Sequence, residues 1–368
     1  MISSVTLEEV SDFVLDGTHG SPERSNDGVP VLSAQHVKGG KLSYETNRFT
    51  SVAEYEYFAQ RVTLEEGDLL LTIVGTIGRA AIVEIVRPAV FQRSVAIIRP
   101  KKDVLCSRYL FHVTQSSHVR EQLERATNKS AQAGVYLGKL KKIAFPLPSF
   151  AEQRRIAAIL DQADALRAKR RQTLTQLDEM ARAIFVDMFG EPQTWSSRWL
   201  CRSFDETMSD ETSRSIKLQT HEFHTDGLFP IIDQGQTAIA GYSDNPAYLC
   251  VSRLPCIVFG DHTRIVKLIR HPFIIGADGA KVLVPRDGVE ATFLAYAMRF
   301  AQIPDLGYSR HMREVKRLSF PAPPMELQMT FARIVDFLEN QRHALASSAS
   351  EFEGLFTSLQ HRAFRGEL

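Results

Sequence analysis

The stretch from Phe145 to Glu191 reads FPLPSFAEQRRIAAILDQADALRAKRRQTLTQLDEMARAIFVDMFGE, and the rest of the chain is interpreted around it. It contains no glycine or proline between Pro148 and Gly190. From Ile156 to Met188, the residues at alternating steps of four and three are mostly apolar, which is the a and d spacing of a coiled coil. The pattern predicts one amphipathic helix about 60 Å long, since each helical residue adds about 1.5 Å.

The same pattern returns 175 residues further along the chain, where Gln328 matches Gln153 and Asp336 matches Asp161. The offset is a whole number of heptads, so the two seams repeat in phase. This repeat predicts an internal duplication in the order globule, long helix, globule, long helix. The predicted seam residues are Ile156, Leu160, Ala163, Leu174, Leu177 and Ile184 in the first helix and Phe331, Val335, Leu338, Leu345, Phe352, Phe356 and Leu359 in the second.

The two seams are each other's expected partners, because an apolar stripe on a lone helix is unfavourable in water. We favour an antiparallel pair, since a parallel pair would require the intervening globule to span the full helix length. Arg167 and Arg342 occupy equivalent seam positions. These arginines either fix the register of the pair, as polar a positions can, or extend to solvent at the side of the stripe.

The two regions outside the helices mix strand and helix patterns in the same order. A β-rich run, Leu69–Val74, ends at a Gly-Thr-Ile-Gly turn, and a second run, Cys256–Phe259, ends at a Gly-Asp-His-Thr-Arg turn. The predicted fold is α+β, with two similar mixed α/β domains separated by two long antiparallel helices that form a coiled coil. The predicted segments are residues 1–145, 146–191, 192–320 and 321–368.

Composition limits the class of protein. The chain has 368 residues and a formal net charge of +1, so any basic surface must be local. Its four cysteines have spacings unlike those of zinc sites and are predicted to be reduced thiols in a cytoplasmic protein. No signal peptide or membrane span is predicted, because the sequence has neither a basic leader before an apolar run nor about 18 consecutive apolar residues.

The sequence lacks the motifs of the enzymes that would compete with a binding function. It has no GxxxxGK[ST] phosphate loop and no [DNS]PP[YFW] motif of an adenine methyltransferase. Asp261 and His262 have no carboxylate or histidine partner at ligand spacing, so a DNA-facing or structural loop is the favoured interpretation. We therefore predict no catalytic residue and no metal site.

Several motifs resemble those of one family. The junction from Ile143 to Ile156, IAFPLPSFAEQRRI, resembles the entry into a long helix of type I restriction-modification specificity subunits. The run from Gly67 to Gly78, GDLLLTIVGTIG, is similar to a strand and loop of their target-recognition domains. Further similar motifs are Phe259–Arg264, Gly307–His311 and the ending Arg362–Leu368. One departure is the second junction, where Met325–Thr330 reads MELQMT in place of an AEQRR-like run.

The resemblance implies a non-catalytic subunit that binds double-stranded DNA. Each target-recognition domain would read one half of a bipartite, asymmetric target, and the helix pair would set the gap between the halves. The implied partners are two methyltransferase subunits, which use S-adenosylmethionine (AdoMet), and restriction subunits, which use ATP and magnesium. No cofactor is expected in this chain itself. The alternative is a coiled-coil scaffold that joins proteins without reading DNA.

DNA reading requires hydrogen-bond donors on loops, to base edges for sequence and to phosphates for position. Each candidate has an alternative role as a solvated turn residue. The predicted DNA-binding residues are Thr18, His19, Thr76, Arg79, Arg93, Lys129, Ser130 and Gln132 in the first globule and Gln236, His262, Thr263, Arg264, Lys281, Ser309, Arg310 and His311 in the second.

Overall fold

The computed structural model describes residues 3–128, 133–277, 279–307, 309–365 and 367, without the side chains of residues 349 and 350. It divides into two compact units, which are Met1–Arg170 with Ser348–Leu368, and Arg171–Ser347. Each unit combines one globule with a part of both long helices. The predicted four segments, which keep the helices apart from the globules, stay a prediction.

The first unit is built on a four-stranded antiparallel sheet in the order β2-β10-β7-β8, with a smaller sheet in the order β6-β3-β9 and the strand pairs β1-β11 and β4-β5. Its strands are β1 Ser4–Thr6, β2 Ser11–Asp16, β3 Val29–Leu32, β4 Val37–Lys38, β5 Lys41–Leu42, β6 Phe49–Thr50, β7 Leu69–Thr72, β8 Ala80–Ile82, β9 Val90–Phe91, β10 Val95–Pro100 and β11 Ala144–Pro146. Its helices are α1 Val52–Ala59, α2 Ser107–Gln115, α3 Ser117–Ala126, α4 Leu137–Leu140 and the first part of α5, Phe150–Phe189.

The core of the first unit lies on both faces of the central strands. All four residues of β7 are buried, as expected for an apolar run with protein on both sides. On one side, Tyr109 and Leu110 of α2 are fully buried in the same cluster as Ile156 and Leu160 of α5. The helix-side core therefore joins the globule to the start of the long helix.

The second unit has a sheet in the order β13-β20-β17-β18, a second sheet in the order β14-β19-β15-β16 and the pair β12-β21. Its strands are β12 Cys201–Ser203, β13 Met208–Asp210, β14 Lys217–Leu218, β15 Phe229–Ile232, β16 Gly241–Ser243, β17 Cys256–Gly260, β18 Val266–Ile269, β19 Ile274–Gly276, β20 Ala280–Pro285 and β21 Ser319–Pro321. Its helices are α6 Trp195–Arg198, α7 Phe204–Thr207, α8 Ala291–Phe300, α9 Met312–Val315 and most of α10, Met325–Ala363.

The two units repeat the same central topology, although the pair β4-β5 of the first unit and β14 of the second have no strand counterpart among the described residues. The central sheets β2-β10-β7-β8 and β13-β20-β17-β18 are both antiparallel throughout. In each unit a parallel pair lies beside the central sheet, β3 with β9 and β15 with β19. A short antiparallel pair, β1-β11 or β12-β21, brings the start of each globule next to the junction before a long helix. The predicted duplication and fold class are confirmed.

Two short segments of the first unit contain local breaks. Residues 6–15 end β1 and form most of β2, with a turn between the two strands. Helices α2 and α3 are separate, because Ser116 adopts an extended conformation between them. The Ser116 side chain accepts a hydrogen bond from the Val119 amide at 3.3 Å and so caps α3.

The long helices run antiparallel within each unit. In the first unit, Arg167 of α5 pairs with Glu353 of α10, while Arg170 lies beside Ser348. Residue numbers thus rise on one helix as they fall on the other. In the second unit, Phe185 packs against Phe331 and the earlier residue Asp178 pairs with the later residue Arg342 at 3.3 Å, in the same sense.

The arginines of the seam are held by the partner helix. The Arg167 side chain is 17% exposed. Its guanidinium carbon lies 4.1 Å from the ring centroid of Phe356 and forms a cation–π contact. Arg170 lies in the same way over Phe352, at 3.9 Å. These contacts favour a role in register for Arg167 and Arg170, whereas the Arg342 side chain is 49% exposed.

The buried face of the helices is wider than the predicted seam. Among the seam residues, Ile156, Leu160, Phe331 and Val335 are fully buried, whereas the remainder are buried or half-buried. Two further residues, Phe185 and Phe189, are also fully buried. Their rings pack against Phe293 of α8, at centroid distances of 5.9 and 4.8 Å. A heptad pattern describes contact between two helices, and the globule adds a second contact face.

In the described part of the chain, every helix is too short or too polar to span a bilayer.

Candidate nucleic-acid interface

Loops of the first unit converge at one end of its central sheet. Strand β2 ends at Asp16, which pairs with Ala96 near the start of β10. Strand β7 ends at Thr72, which pairs with Val95. The turns that follow β2 and β7, and the turn that precedes β10, therefore leave the sheet at the same end.

Backbone hydrogen bonds join these loops into one surface. The Thr18 amide donates to the Phe91 carbonyl at 2.7 Å, and the Arg93 amide donates to the Thr18 carbonyl at 3.1 Å. The Ile73 amide donates to the Ser94 carbonyl at 2.9 Å. The sheet end therefore brings together the predicted residues on the loops after β2, after β7 and before β10.

The side chains on this surface are accessible to a ligand. His19, Thr76, Arg79 and Arg93 are exposed, and Thr18 is half-buried with its hydroxyl donating to the Gly20 carbonyl at 2.5 Å. The predicted residues Lys129, Ser130 and Gln132 lie outside the described residues.

A polar network around Asp16 holds the loop after β2, and sequence reasoning missed Arg61 within it. The Asp16 carboxylate is 3.1 Å from His19 Nε2 and 3.0 Å from Arg61 Nη2. Arg61 also donates to the Gly17 carbonyl at 3.4 Å. Arg61 follows α1 and is 45 residues after Asp16 in the chain, so no local sequence pattern links these two residues.

A second cation that sequence reasoning missed lies beside the β7-β8 hairpin. Gln115 Nε2 donates to the Gly78 carbonyl at 3.1 Å, and Arg120 Nη2 donates to Gln115 Oε1 at 3.2 Å. Arg79, Gln115 and Arg120 line an open cleft of about 520 Å³ next to the hairpin. Arg120 gives no sequence signal because it lies on α3, where a solvated face is the ordinary interpretation.

The second unit places its predicted residues at the equivalent sheet end. Strand β17 ends at Gly260, which pairs with Ala280 at the start of β20. The turn 261–265 between β17 and β18 therefore lies next to the turn before β20. Exposed Thr263 and half-buried His262, Arg264 and Lys281 come together here.

The loop after β15 joins this surface through Gln234, which sequence reasoning missed. Its carbonyl accepts from Thr263 Oγ1 at 2.6 Å, and its Oε1 accepts from the His262 amide at 3.2 Å. Exposed Gln236 lies two residues further on. Gln234 is not recognisable from the sequence because its partners are distant in the chain.

Arg264 connects the turn to the loop before α9. It has a positive φ of 61° and forms an ion pair with Asp305, with Nη2 and Oδ2 2.7 Å apart. The backbone amide of Gly307 and then the charge of Arg264 lower the pKa of Asp305. The same loop carries Ser309 and Arg310, both exposed. The guanidinium of Arg264 is therefore engaged with Asp305, whereas Arg310 is exposed to solvent.

The prediction for His311 is wrong. Its side chain is completely buried. Its Nδ1 donates to the Asp261 carbonyl at 2.8 Å, and its Nε2 accepts from the Leu306 amide at 3.2 Å. These partners assign the ring proton to Nδ1. His311 therefore fixes the loops beside the interface, and no ring atom is free to contact a base.

Over the described residues, no three His, Cys, Asp or Glu side chains lie close enough to hold a metal ion. All four cysteines are free thiols, and burial raises the pKa of Cys256 to about 12. That buried thiol is a poor nucleophile near neutral pH.

The fold, the duplicated sheet ends and the long helices together define a class of duplicated two-domain protein, and known proteins share these features. Residues 4–177 match the family model described as the type I restriction modification DNA specificity domain. The EcoBI specificity subunit of Escherichia coli is 27% identical over 198 residues, which are 52% of this chain and 41% of that protein. The MjaVIII specificity subunit of Methanocaldococcus jannaschii is 26% identical over 185 residues, which are 49% and 43% of the two chains.

Solved structures show the same fold over the whole chain. The S subunit of the type I restriction-modification system from M. genitalium aligns with a TM-score of 0.60 and 16% identity, covering 98% of this chain and 96% of that one. A structure described as the basis of complex assembly and conformational transition of the type I system aligns with a TM-score of 0.57 and 16% identity. The alignment covers 100% of this chain and 98% of that one. Residues 4–177 therefore resemble the DNA specificity domain of type I restriction-modification systems, and the similarity in fold extends over the whole chain. The sequence matches span less than half of the length of the two curated relatives.

Proposed function

We propose that this chain is the DNA sequence-specificity subunit of a type I restriction-modification system. The observation that supports this most directly is the repetition of one sheet end, with exposed donors, in both units. Each sheet end would read one half of a bipartite, asymmetric DNA target, and the antiparallel helices would set the distance between the halves.

The side chains at the two sheet ends suit this role. Gln and Arg can form two hydrogen bonds with adenine and guanine edges in the major groove, which gives Gln236, Arg79 and Arg310 a direct chemistry for reading sequence. Thr76 and Thr263 are suited to phosphate oxygens, which position the duplex without reading it. Because the formal net charge of the whole chain is only +1, the binding energy must come from these local groups.

The chain itself would be non-catalytic and would bind no cofactor. Its proposed partners are double-stranded DNA, two methyltransferase subunits that use AdoMet, and restriction subunits that use ATP and magnesium. Its proposed location is the cytoplasm, where these partners and the DNA are available.

The test is selection of bound fragments from a pool of random duplexes, with and without a methyltransferase subunit of the same system. We expect an enriched motif of two short sequences separated by a fixed gap. No two-part motif in either condition would contradict the proposal.

One observation keeps a coiled-coil scaffold as the second candidate. Met329 and Phe337 of α10 are 52% and 61% exposed, and such exposed apolar side chains suit a protein partner. A scaffold alone would have no specific affinity for DNA. DNA binding that weakens steeply with salt, together with an enriched motif, would exclude it.

A further inference from the structure

Lys267 is a buried cation behind the candidate interface of the second unit. It lies on β18, and its side chain is only 10% exposed. Its ammonium group donates to the Asp233 carbonyl at 2.8 Å, to the Thr237 carbonyl at 2.7 Å and to Asp233 Oδ1 at 3.3 Å. Since an ammonium has three donors, all are used within the loop 233–237.

This arrangement ties the shape of the loop to one side chain. Burial lowers the pKa of Lys267, while the charge of Asp233 and its hydrogen bond act in the opposite direction. A buried charge is tolerated only where its hydrogen bonds are satisfied. The loop must therefore keep both carbonyls and the carboxylate directed at Lys267.

The loop in turn holds the neighbouring turns of the interface. Gln234 accepts hydrogen bonds from Thr263 and His262, as described above. Its side chain also lies against Gly279, where an added Cβ would come within 2.5 Å of Gln234 Oε1. Gly279 has a φ of 96°, which other residues rarely adopt. Three loops are thus packed around Gln234, with Gln236 exposed beside them.

We propose that Lys267 is a positioning residue that sets the sequence preference of the second domain without touching DNA. It holds the loop 233–237 so that Gln236 keeps a fixed position relative to His262 and Thr263. This inference rests on the proposed function, because it assumes that the sheet end reads one half of a two-part target.

The test uses the full chain with its methyltransferase subunit, and compares the two halves of the target separately. Lys267→Met keeps most of the apolar stem and removes the three donors. We expect discrimination between target and substituted bases to fall about tenfold in one half only, since a well-placed bidentate contact contributes about that much. The other half and the affinity for random DNA should not change, because the first unit and the phosphate contacts remain.

Arg253→Met is the matched control. Arg253 also pairs with an aspartate, Asp287, and donates to a carbonyl, that of Pro285 at 2.8 Å, but Pro285 ends β20 at the opposite end of the sheet. We expect it to leave both halves unchanged. Asp233→Asn is a second variant that removes only the charge of the partner, and it should lower discrimination in the same half to a smaller extent.

The possible outcomes separate the inference from the proposed function. If the wild type selects a two-part motif and Lys267→Met keeps full discrimination in both halves, the inference is overturned and the proposed function remains. Equal loss in both halves, with a lower melting temperature, also overturns it, because the effect is then global. If Lys267→Met does not fold, the same comparison is made with Asp233→Asn, and unchanged discrimination there overturns the inference. Absence of any wild-type motif removes the proposed function and the inference together.

Discussion

The side chains of Gln153 and Gln328 make the same set of hydrogen bonds, although 175 residues separate them in the chain. Gln153 Oε1 accepts from the Cys106 amide at 2.9 Å. Its Nε2 donates to the Val104 and Pro148 carbonyls at 2.9 and 3.0 Å. Cys106 is the residue before α2, so Gln153 joins the start of the long helix to a helix of the globule.

Gln328 does the same in the second unit. Its Oε1 accepts from the Glu290 amide at 2.9 Å, and its Nε2 donates to the Gly288 and Pro323 carbonyls at 3.4 and 2.8 Å. Glu290 is the residue before α8. The repeated sequence therefore encodes a repeated attachment between globule and helix.

The first prediction concerns this attachment. Gln153→Leu should lower the free energy of unfolding by about 2 kcal/mol, because Gln153 is buried and the Cys106 amide and two carbonyls lose their partner. Chemical denaturation measures the change. Gln162→Leu, at an exposed position of the same helix, is the control and should have little effect. Equal effects of the two substitutions would show that the attachment adds no stability.

The second prediction concerns the register of the helix pair. Arg167 stacks on Phe356 and pairs with Glu353, and its Nη1 is 2.6 Å from Asp164. A double-mutant cycle of Arg167→Met and Phe356→Leu should give a coupling energy of about 1 kcal/mol. The same cycle with Arg154→Met, at an exposed position of α5, should give none. Additive effects for Arg167 and Phe356 would rule out a stabilising stack.

The third prediction is a pH dependence that originates at His112. This residue of α2 is fully buried, and its Nε2 is 2.7 Å from Asp161 of α5. Burial lowers the pKa of His112 from 6.5, although the hydrogen bond and charge of Asp161 oppose the effect. Asp164 lies 4.0 Å from Nδ1, and nearby Arg108 also disfavours the charged ring.

The sign follows from proton linkage. As the pH decreases below about 6.5, the unfolded chain binds a proton at His112 before the folded chain does. The free energy of unfolding therefore decreases as the pH decreases, until the pH is below the pKa of His112 in the folded chain. Denaturation between pH 7.5 and 5 should show this loss in the wild type and a shallower slope in His112→Gln. His118→Gln, at an exposed position, should keep the wild-type slope. Parallel profiles for the wild type and His112→Gln would assign the loss to other groups.

Periodicity was sufficient to predict the duplication, because the heptad repeat and its 175-residue offset are properties of the sequence alone. Periodicity was insufficient to predict which residues of the long helix are buried in the second unit. The pattern assigned Ile184 to the seam, yet Ile184 is only half-buried and Phe185 beside it is fully buried. The ring of Phe185 stacks on Phe300 of α8 with centroids 5.0 Å apart. A contact between segments so distant in sequence leaves no periodic signal.

At the candidate interface, too, the sequence was sufficient to predict some features and insufficient for others. Turn chemistry is sufficient to select loops that lie together at one sheet end of each unit, since Gly, Thr and Arg residues follow buried strands there. Polarity alone could not separate Arg310, which is exposed, from His311, which is buried one residue later. Lys267 and Gln234 were missed for the opposite reason. Their polar atoms are bonded to backbone groups of other loops, and such bonds depend on the complete fold.

The fourth prediction separates these two neighbours. His311→Ala should lower the free energy of unfolding by about 2 kcal/mol, because the buried imidazole leaves a cavity and the carbonyl of buried Asp261 loses its partner. Arg310→Ala should leave stability within about 0.5 kcal/mol, as for other surface substitutions. Arg310→Ala should instead weaken DNA binding, measured by anisotropy at several salt concentrations. A change in stability for Arg310→Ala, with unchanged DNA affinity, would reverse the two roles.

The last prediction concerns the spacing role in the proposed function. A heptad of helix is about 10.5 Å long, which corresponds to about three base pairs of duplex. Deleting one heptad from each long helix, at opposing positions, should therefore shorten the gap of the target by about three base pairs and leave both half sequences unchanged. Fragment selection with the shortened chain measures the gap directly. Deletion from one helix alone is the control, because it breaks the register that Arg167 and Phe356 maintain and should reduce stability instead of producing a defined new gap. A folded chain with the paired deletion and an unaltered gap would contradict the spacing role, while the reading role of the sheet ends would remain.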